Sequence, residues 1–371
     1  MDSGRLLAEY APGDFFFTTD RHTISGSGVR RSFTGTDVVA LSEQVSTALA
    51  GRPGGLAVGV LPFDTDGVPG HIVLPETTRT AGPVRVSSRL AVPAPVGVRA
   101  IPEPVRHAEA VAKAVKALAD RGMRKVVLAR ALDLDFDEDI SPRAILHNLV
   151  KDGAGGYIFA AGLPNDRTFF GASPELLVSR RGGQVLSHPH AGSAPRSADP
   201  VSDRENAESL VSSRKDHLEH AVLTEAVVET LRPFCRRLDV PSAPSLVSTP
   251  TMWHLSTVVT GELADRDITA LRLAAALHPT PAICGSPTEQ ARRLVGELEP
   301  FERGYYAGTV GWMDDQGDGE WAVSIRCAEA GQRSLRLYAG GGIVPASDPK
   351  AELDETSAKF QTLLSAMGLE L

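Results

Sequence analysis

The chain has 371 residues, 38 basic and 46 acidic side chains for a formal net charge of −8, and 42% hydrophobic residues. This balance excludes disorder as the main state and argues against a nucleic-acid-binding surface, so an anionic ligand must meet positive charge that is local. No run approaches the ~20 consecutive apolar residues of a membrane span, and MDSGRLLAEYAPGDFFF lacks the basic-then-apolar order of a secretory signal, so a soluble cytoplasmic protein is expected.

In chain order, apolar spacing predicts a helix over 38–49, a strand over 56–63, a helix over 107–120, a strand over 125–134 and a helix over 142–150. Strands follow over 157–161 and 176–180, then one long helix over 204–231 and a strand over 253–259. Helices over 269–277 and 287–298, strands over 305–312, 320–327 and 335–339, and a helix over 350–364 complete the chain. The 35 glycines and 26 prolines fall between short apolar runs, as in a strand-rich fold. Ser141 before Pro142 reads as one helix start, and Ser286, Pro287 and Glu289 read as a capping box. The proline-rich run 92–105 reads as a surface crossover inside one domain, because the strands before it need a partner sheet. Cys235, Cys284 and Cys327 are widely spaced and have no CxxC pattern, which predicts free thiols.

Several clusters combine charge, glycine and apolar neighbours. In SRKDHLEH, Asp216, Glu219 and Leu223 share a helix face, either as part of a site or as a solvated stripe. Glu352, Glu355 and Lys359 lie at spacings of three and four, either as a functional face or as an exposed ion pair. The three glycines of YAGGGIVPASDP let backbone N–H groups approach an anion, and equally suit a tight turn. Arg326 interrupts an apolar stretch and there requires a carboxylate partner, from protein or ligand. Lys125 begins KVVLAR, whose alternation puts Lys125, Val127 and Ala129 on one face. Glu175 follows a proline among apolar neighbours that would raise its pKa on burial. His278 and His254 read as structural hydrogen-bonders, and the HLEH pair offers no third zinc ligand.

Taken in order, KVVLAR, FFGASPELL, HAGSAPR, SRKDHLEH, STPTMWHLST, LHPTPAICGSP, ELEPFERGYYAGTVGW, GEWAVSIRC, YAGGGIVPASDP and AELDETSAKF resemble the chorismate-utilising enzymes over residues 10–367. Among these the chain is most similar to the isochorismate synthases, those of siderophore type above all. The resemblance implies an α+β fold in a single domain over 1–371, with two large antiparallel sheets packed together, helices outside and the site in a cleft. Residues 1–100 would be integrated into that domain, and 101–371 would carry the motifs. It further implies a monomer that converts chorismate reversibly to isochorismate with Mg²⁺.

Carried over by motif, the resemblance makes Lys125 the base that activates water for attack at C2 and Glu175 the acid that protonates the departing C4 hydroxyl. Glu219 and Glu355 match the carboxylates that hold Mg²⁺, with Glu352 a further, partly water-mediated ligand. Arg326, Gly340 and Lys359 match the groups receiving the substrate carboxylates. His278, Ala282, Ile283 and Tyr306 match the pocket around the ring, and Ser193 lies in a loop lining the acid side. The glycine run reads AGGGI where relatives often read AGAGI. A salicylate synthase, which eliminates pyruvate in a second step, is the alternative within the fold. Ala282 argues against it, since most such relatives carry threonine there, and Lys125 argues against the anthranilate type, which carries glutamine.

Overall fold

The computed structural model describes residues 3–64, 67–153 and 156–369; the remainder of the expected 1–371 span lies outside the described residues. Among the described residues two large antiparallel sheets, of ten and nine strands, pack together, and a three-stranded sheet flanks them. This is the α+β architecture expected. Phe15, Phe17, Phe159, Phe169, Leu177, Val310 and Trp321 are buried in one core that both large sheets share. Burying each such side chain stabilises the fold by about 1.5–3 kcal/mol. A second core lies under the helices Pro142–Lys151 and Pro349–Met367, where Ile145, Leu149, Phe360, Leu363 and Leu364 cover the outer face of the ten-stranded sheet.

The N-terminal segment is woven into both sheets. Phe15–Thr18, Thr23–Ser27 and Thr77–Ala81 belong to the larger sheet, whereas Arg31–Gly35, Leu56–Leu61 and Gly70–Leu74 belong to the nine-stranded one. The run 92–105 contains a strand, Gly97–Ile101, paired with residues 131–135. It is a crossover within the fold.

Local sequence explains most of the helices. Leu41, Val45 and Leu49 recur every fourth residue on Val38–Leu49, and Asp37 caps it by accepting from the Val39 and Ala40 amides. Ser141 caps Pro142–Lys151 as expected. The capping box at Ser286 does not form: Gly285–Ser286 pairs with Val126 and Lys125 as a short strand, and the next helix starts at Thr288 without a side-chain cap. The single helix expected over 204–231 is two, Pro200–Ser212 and Arg214–Leu231. They are split at Ser213, whose extended backbone and hydroxyl cap the second helix.

Two further departures come from the packing of the sheets. The strand expected over 253–259 is divided into Met252–Ser256 in the small sheet and Val259–Leu263 in the nine-stranded sheet. The strand expected over 320–327 is likewise Gly319–Val323 in the nine-stranded sheet and Cys327–Ala330 in the ten-stranded one. Arg326 lies in the gap with φ +49°, a left-handed conformation uncommon outside glycine. The strands Arg167–Ser173 and Leu176–Arg181 cross between the same two sheets, with Pro174 and Glu175 at the joint. The joints are bonded together: the Ala172 amide donates to the Arg326 carbonyl at 3.0 Å and the Val323 amide to the Glu175 carbonyl at 3.1 Å.

Candidate active site

At this seam lies a cleft with about 650 Å³ of empty space, solvent mouth included, lined in part by Glu175, Ser193, Glu219, Arg326, Glu355 and Lys359. Its floor is the pairing of Lys125–Asp135 with Ser334–Ile343, which sets Gly342 opposite Val127 and Gly340 opposite Ala129. A Cβ on Gly342 would lie 2.2 Å from Glu219 Oε1 and 2.7 Å from Lys125 Cε, so only a glycine leaves room for those two side chains. Tyr306 uses the space above Gly340 in the same way, its hydroxyl 2.5 Å from where a Cβ would stand.

Glu219, Glu355 and Glu352 are each matched by a lysine. Lys125 Nζ is buried 2.8 Å from Glu219 Oε1, off the hydrogen-bonding direction. Lys359 Nζ donates to Glu355 Oε1 at 2.5 Å and to the Gly340 carbonyl at 2.9 Å, and the Ser193 hydroxyl donates to Glu355 at 2.9 Å. Lys215, one turn before Glu219, donates to Glu352 Oε1 at 2.8 Å. Glu352 occupies the apolar stripe of its helix, in register with Thr356, Phe360 and Leu363, and is 1% exposed. Burial and the nearby Glu355 raise its pKa, and its Oε2 is buried without a hydrogen-bond partner. For Glu355, burial is outweighed by Lys359, which holds its carboxyl below the usual range.

Glu175 is 3% exposed, and burial pushes its pKa up to about 7 despite the His190 amide, which donates to Oε1 at 3.4 Å. Arg326 forms no ion pair among the described residues; burial lowers its pKa to about 10 against the pull of Glu355. Its guanidinium is a cation facing the cleft and open to a ligand carboxylate.

The structure therefore brings together Lys125, Glu175, Ser193, Glu219, Ala282, Ile283, Tyr306, Arg326, Gly340, Glu352, Glu355 and Lys359. Ser193 sits on the strand His190–Pro195 and engages Glu355. His278 is not brought in. Its Nε2 bonds to the Pro62 carbonyl at 2.8 Å and the Phe63 carbonyl at 3.3 Å, in the loop after Leu56–Leu61, and its ring lies outside the cleft lining. The histidines that line the cleft are His190 and His254, both kept neutral by burial. Gly342 and Lys215 also belong to the site, although no motif singles out either one. The glycine run and the one-turn spacing of Lys215 from Glu219 were the available signals.

The arrangement offers a protonatable carboxyl and an amine in one cleft, the guanidinium of Arg326 for an anionic ligand, and three carboxylates around two glycines. The donors are all carboxylate oxygens, the type that suits a hard dication. Among the described residues no three metal-binding side chains are already gathered. Glu352 Oε2 and Glu355 Oε1 nevertheless approach the Gly341 Cβ position at 3.1 and 4.0 Å, and Glu219 approaches that of Gly342, so the three flank one glycine cradle.

Residues 88–368 match the family model of chorismate binding enzymes, and the chain belongs to that family. It is 46% identical to isochorismate synthase DhbC of Bacillus subtilis, covering 98% of this chain and 96% of that one. It is 38% identical to the vibriobactin-specific isochorismate synthase of Vibrio cholerae, over 96% and 92%. The crystal structure of DhbC from Bacillus anthracis superposes with a TM-score of 0.94 at 43% identity, covering 99% of each chain. No helix among the described residues is long and apolar enough to cross a membrane.

Proposed function

We propose that this chain is an isochorismate synthase, an isomerase that interconverts chorismate and isochorismate in the cleft at the sheet seam. The observation that carries the reading is the pairing of two buried groups: Glu175, held protonated up to about pH 7 by burial, and the amine of Lys125 beside the glycine cradle. Lys125 takes a proton from water as its oxygen bonds to C2. Glu175 gives its proton to the C4 hydroxyl, which leaves as water while the ring double bonds shift between the two carbons. One water enters and one departs, so the step needs no oxidant.

Arg326, Lys359 and the backbone at Gly340 receive the carboxylates of the dianion, which a protein of net charge −8 would otherwise repel. Ala282, Ile283 and Tyr306 wall the ring, and His278 has no part in it. Glu219 and Glu355, with Glu352, would hold Mg²⁺; the all-oxygen donor set and the unpartnered Glu352 Oε2 support this. When bound, the ion would offset ring-carboxylate charge as the diene shifts. The whole chain acts as one catalytic domain, a reading supported by N-terminal strands that enter both sheets. We take it to work as a cytoplasmic monomer whose three cysteines remain free thiols.

Purified protein given chorismate and Mg²⁺, with isochorismate, salicylate and pyruvate resolved, tests the reading. Isochorismate with little pyruvate is expected; pyruvate released in step with chorismate consumed would instead make it a salicylate synthase.

A further inference from the structure

Arg303 lies behind the cleft wall and does not line the cleft. Its Nη1 donates to the Ile283 carbonyl at 2.7 Å and its Nη2 to the Val127 carbonyl at 2.8 Å. Glu299 holds the other side of the fork, accepting from Nε at 2.8 Å and from Nη2 at 2.5 Å, and also accepts from the Ala129 amide at 2.7 Å. The guanidinium carbon stands 4.3 Å from the ring centroid of Phe63 and 5.7 Å from that of Tyr306. Val127, Ile283 and Tyr306 all line the cleft, so a single buried side chain ties together three separate parts of its wall.

The sheet itself does not supply that tie. Gly285–Ser286 pairs with Val126 and Lys125, and the last ladder bond runs from the Val127 amide to the Cys284 carbonyl at 2.9 Å. One residue earlier, Ile283 reaches the sheet strand through the Arg303 fork. A buried ion pair is weak as a net source of stability compared with apolar packing. Five donors in a fixed plane, by contrast, define position well.

We propose that the Glu299–Arg303 pair is a positioning unit that fixes the Ala282–Ile283 wall and thereby suppresses pyruvate loss from bound isochorismate. The inference rests on the isochorismate synthase reading. In the suppressed reaction the C3–O ether bond breaks, the hydrogen on C2 passes to the enolpyruvyl methylene carbon, and the ring becomes aromatic. Isochorismate thus divides into salicylate and pyruvate with no other reactant. The enolpyruvyl group must fold over C2 for this, a pose that a fixed wall denies and a mobile wall allows.

The test measures the pyruvate-to-isochorismate ratio and the melting curve of the full chain and three variants. Arg303→Lys keeps the charge opposite Glu299 but loses the fork, and should raise the ratio by about fivefold or more. Glu299→Gln and Phe63→Leu loosen the same guanidinium more gently and should raise it less. A folded Arg303→Lys with the wild-type ratio overturns the proposal. Should that variant not fold, wild-type ratios in folded Phe63→Leu and Glu299→Gln overturn it equally. Wild-type protein in the same assay separates the two readings: if it forms no isochorismate, the reading of the cleft fails, whereas isochorismate with unmoved ratios removes only the positioning role.

Discussion

Gly342→Ala adds one methyl group at the point where the cleft is most tightly built. Gly342 lies outside the left-handed region, so alanine can adopt its backbone and the effect is steric. The new Cβ would meet Glu219 Oε1 at 2.2 Å, Glu219 Cδ at 2.9 Å and Lys125 Cε at 2.7 Å, whereas ordinary contact begins at 3.4 Å. The carboxylate must therefore retreat by about 1 Å and the lysine by somewhat less, and both are buried against each other. A displacement of that size in a reacting or positioning group costs about 10²-fold in rate, or about 2.7 kcal/mol of barrier. Gly341→Ala is the control, since its Cβ would meet the end of Glu352 at 3.1 Å and should cost less than about fivefold. Initial rates of isochorismate formation at saturating Mg²⁺, with melting curves for both variants, make the comparison. A folded Gly342→Ala within about threefold of wild-type kcat/KM would refute the claim that this glycine makes room for Lys125 and Glu219.

Glu175→Gln keeps the shape of the acid without its proton, and turnover should fall by about 10² or more with little change in affinity. Because burial holds the Glu175 pKa at about 7 and the protonated form is the active one, wild-type turnover should decline as pH rises through about 7. A flat pH profile there would count against the acid role. Glu219→Ala and Glu355→Ala should weaken Mg²⁺ binding measured by calorimetry together with activity; unchanged titrations would remove them as ligands. Ala282→Thr should leave the first step partly alive and raise the pyruvate fraction, and an unchanged fraction would show that the wall beside the enolpyruvyl group is set elsewhere.

The sequence determined what is local. A four-residue apolar spacing and an aspartate cap are enough to place Val38–Leu49, and the alternation of KVVLAR correctly puts Lys125 and Val127 on one strand face. The order of the motifs was enough to name most of the residues that meet in the cleft. Tertiary structure decided what depends on register and on the joining of sheets. Glu175 and Arg326 face each other across the seam because two strand pairs change sheets side by side, and nothing in the period of GEWAVSIRC marks the break at Ser324–Arg326. The split at Ser213 has the same character, since a serine is compatible with a helix interior and becomes a cap only where the chain turns. His278 resembled a pocket residue by motif, but the direction of its ring is fixed by carbonyls at Pro62 and Phe63 that are distant in sequence. Gly342 is the clearest case. Its need to be glycine comes from Glu219 and Lys125, which reach it through a helix and a neighbouring strand, so only the packed structure brings that steric requirement into being.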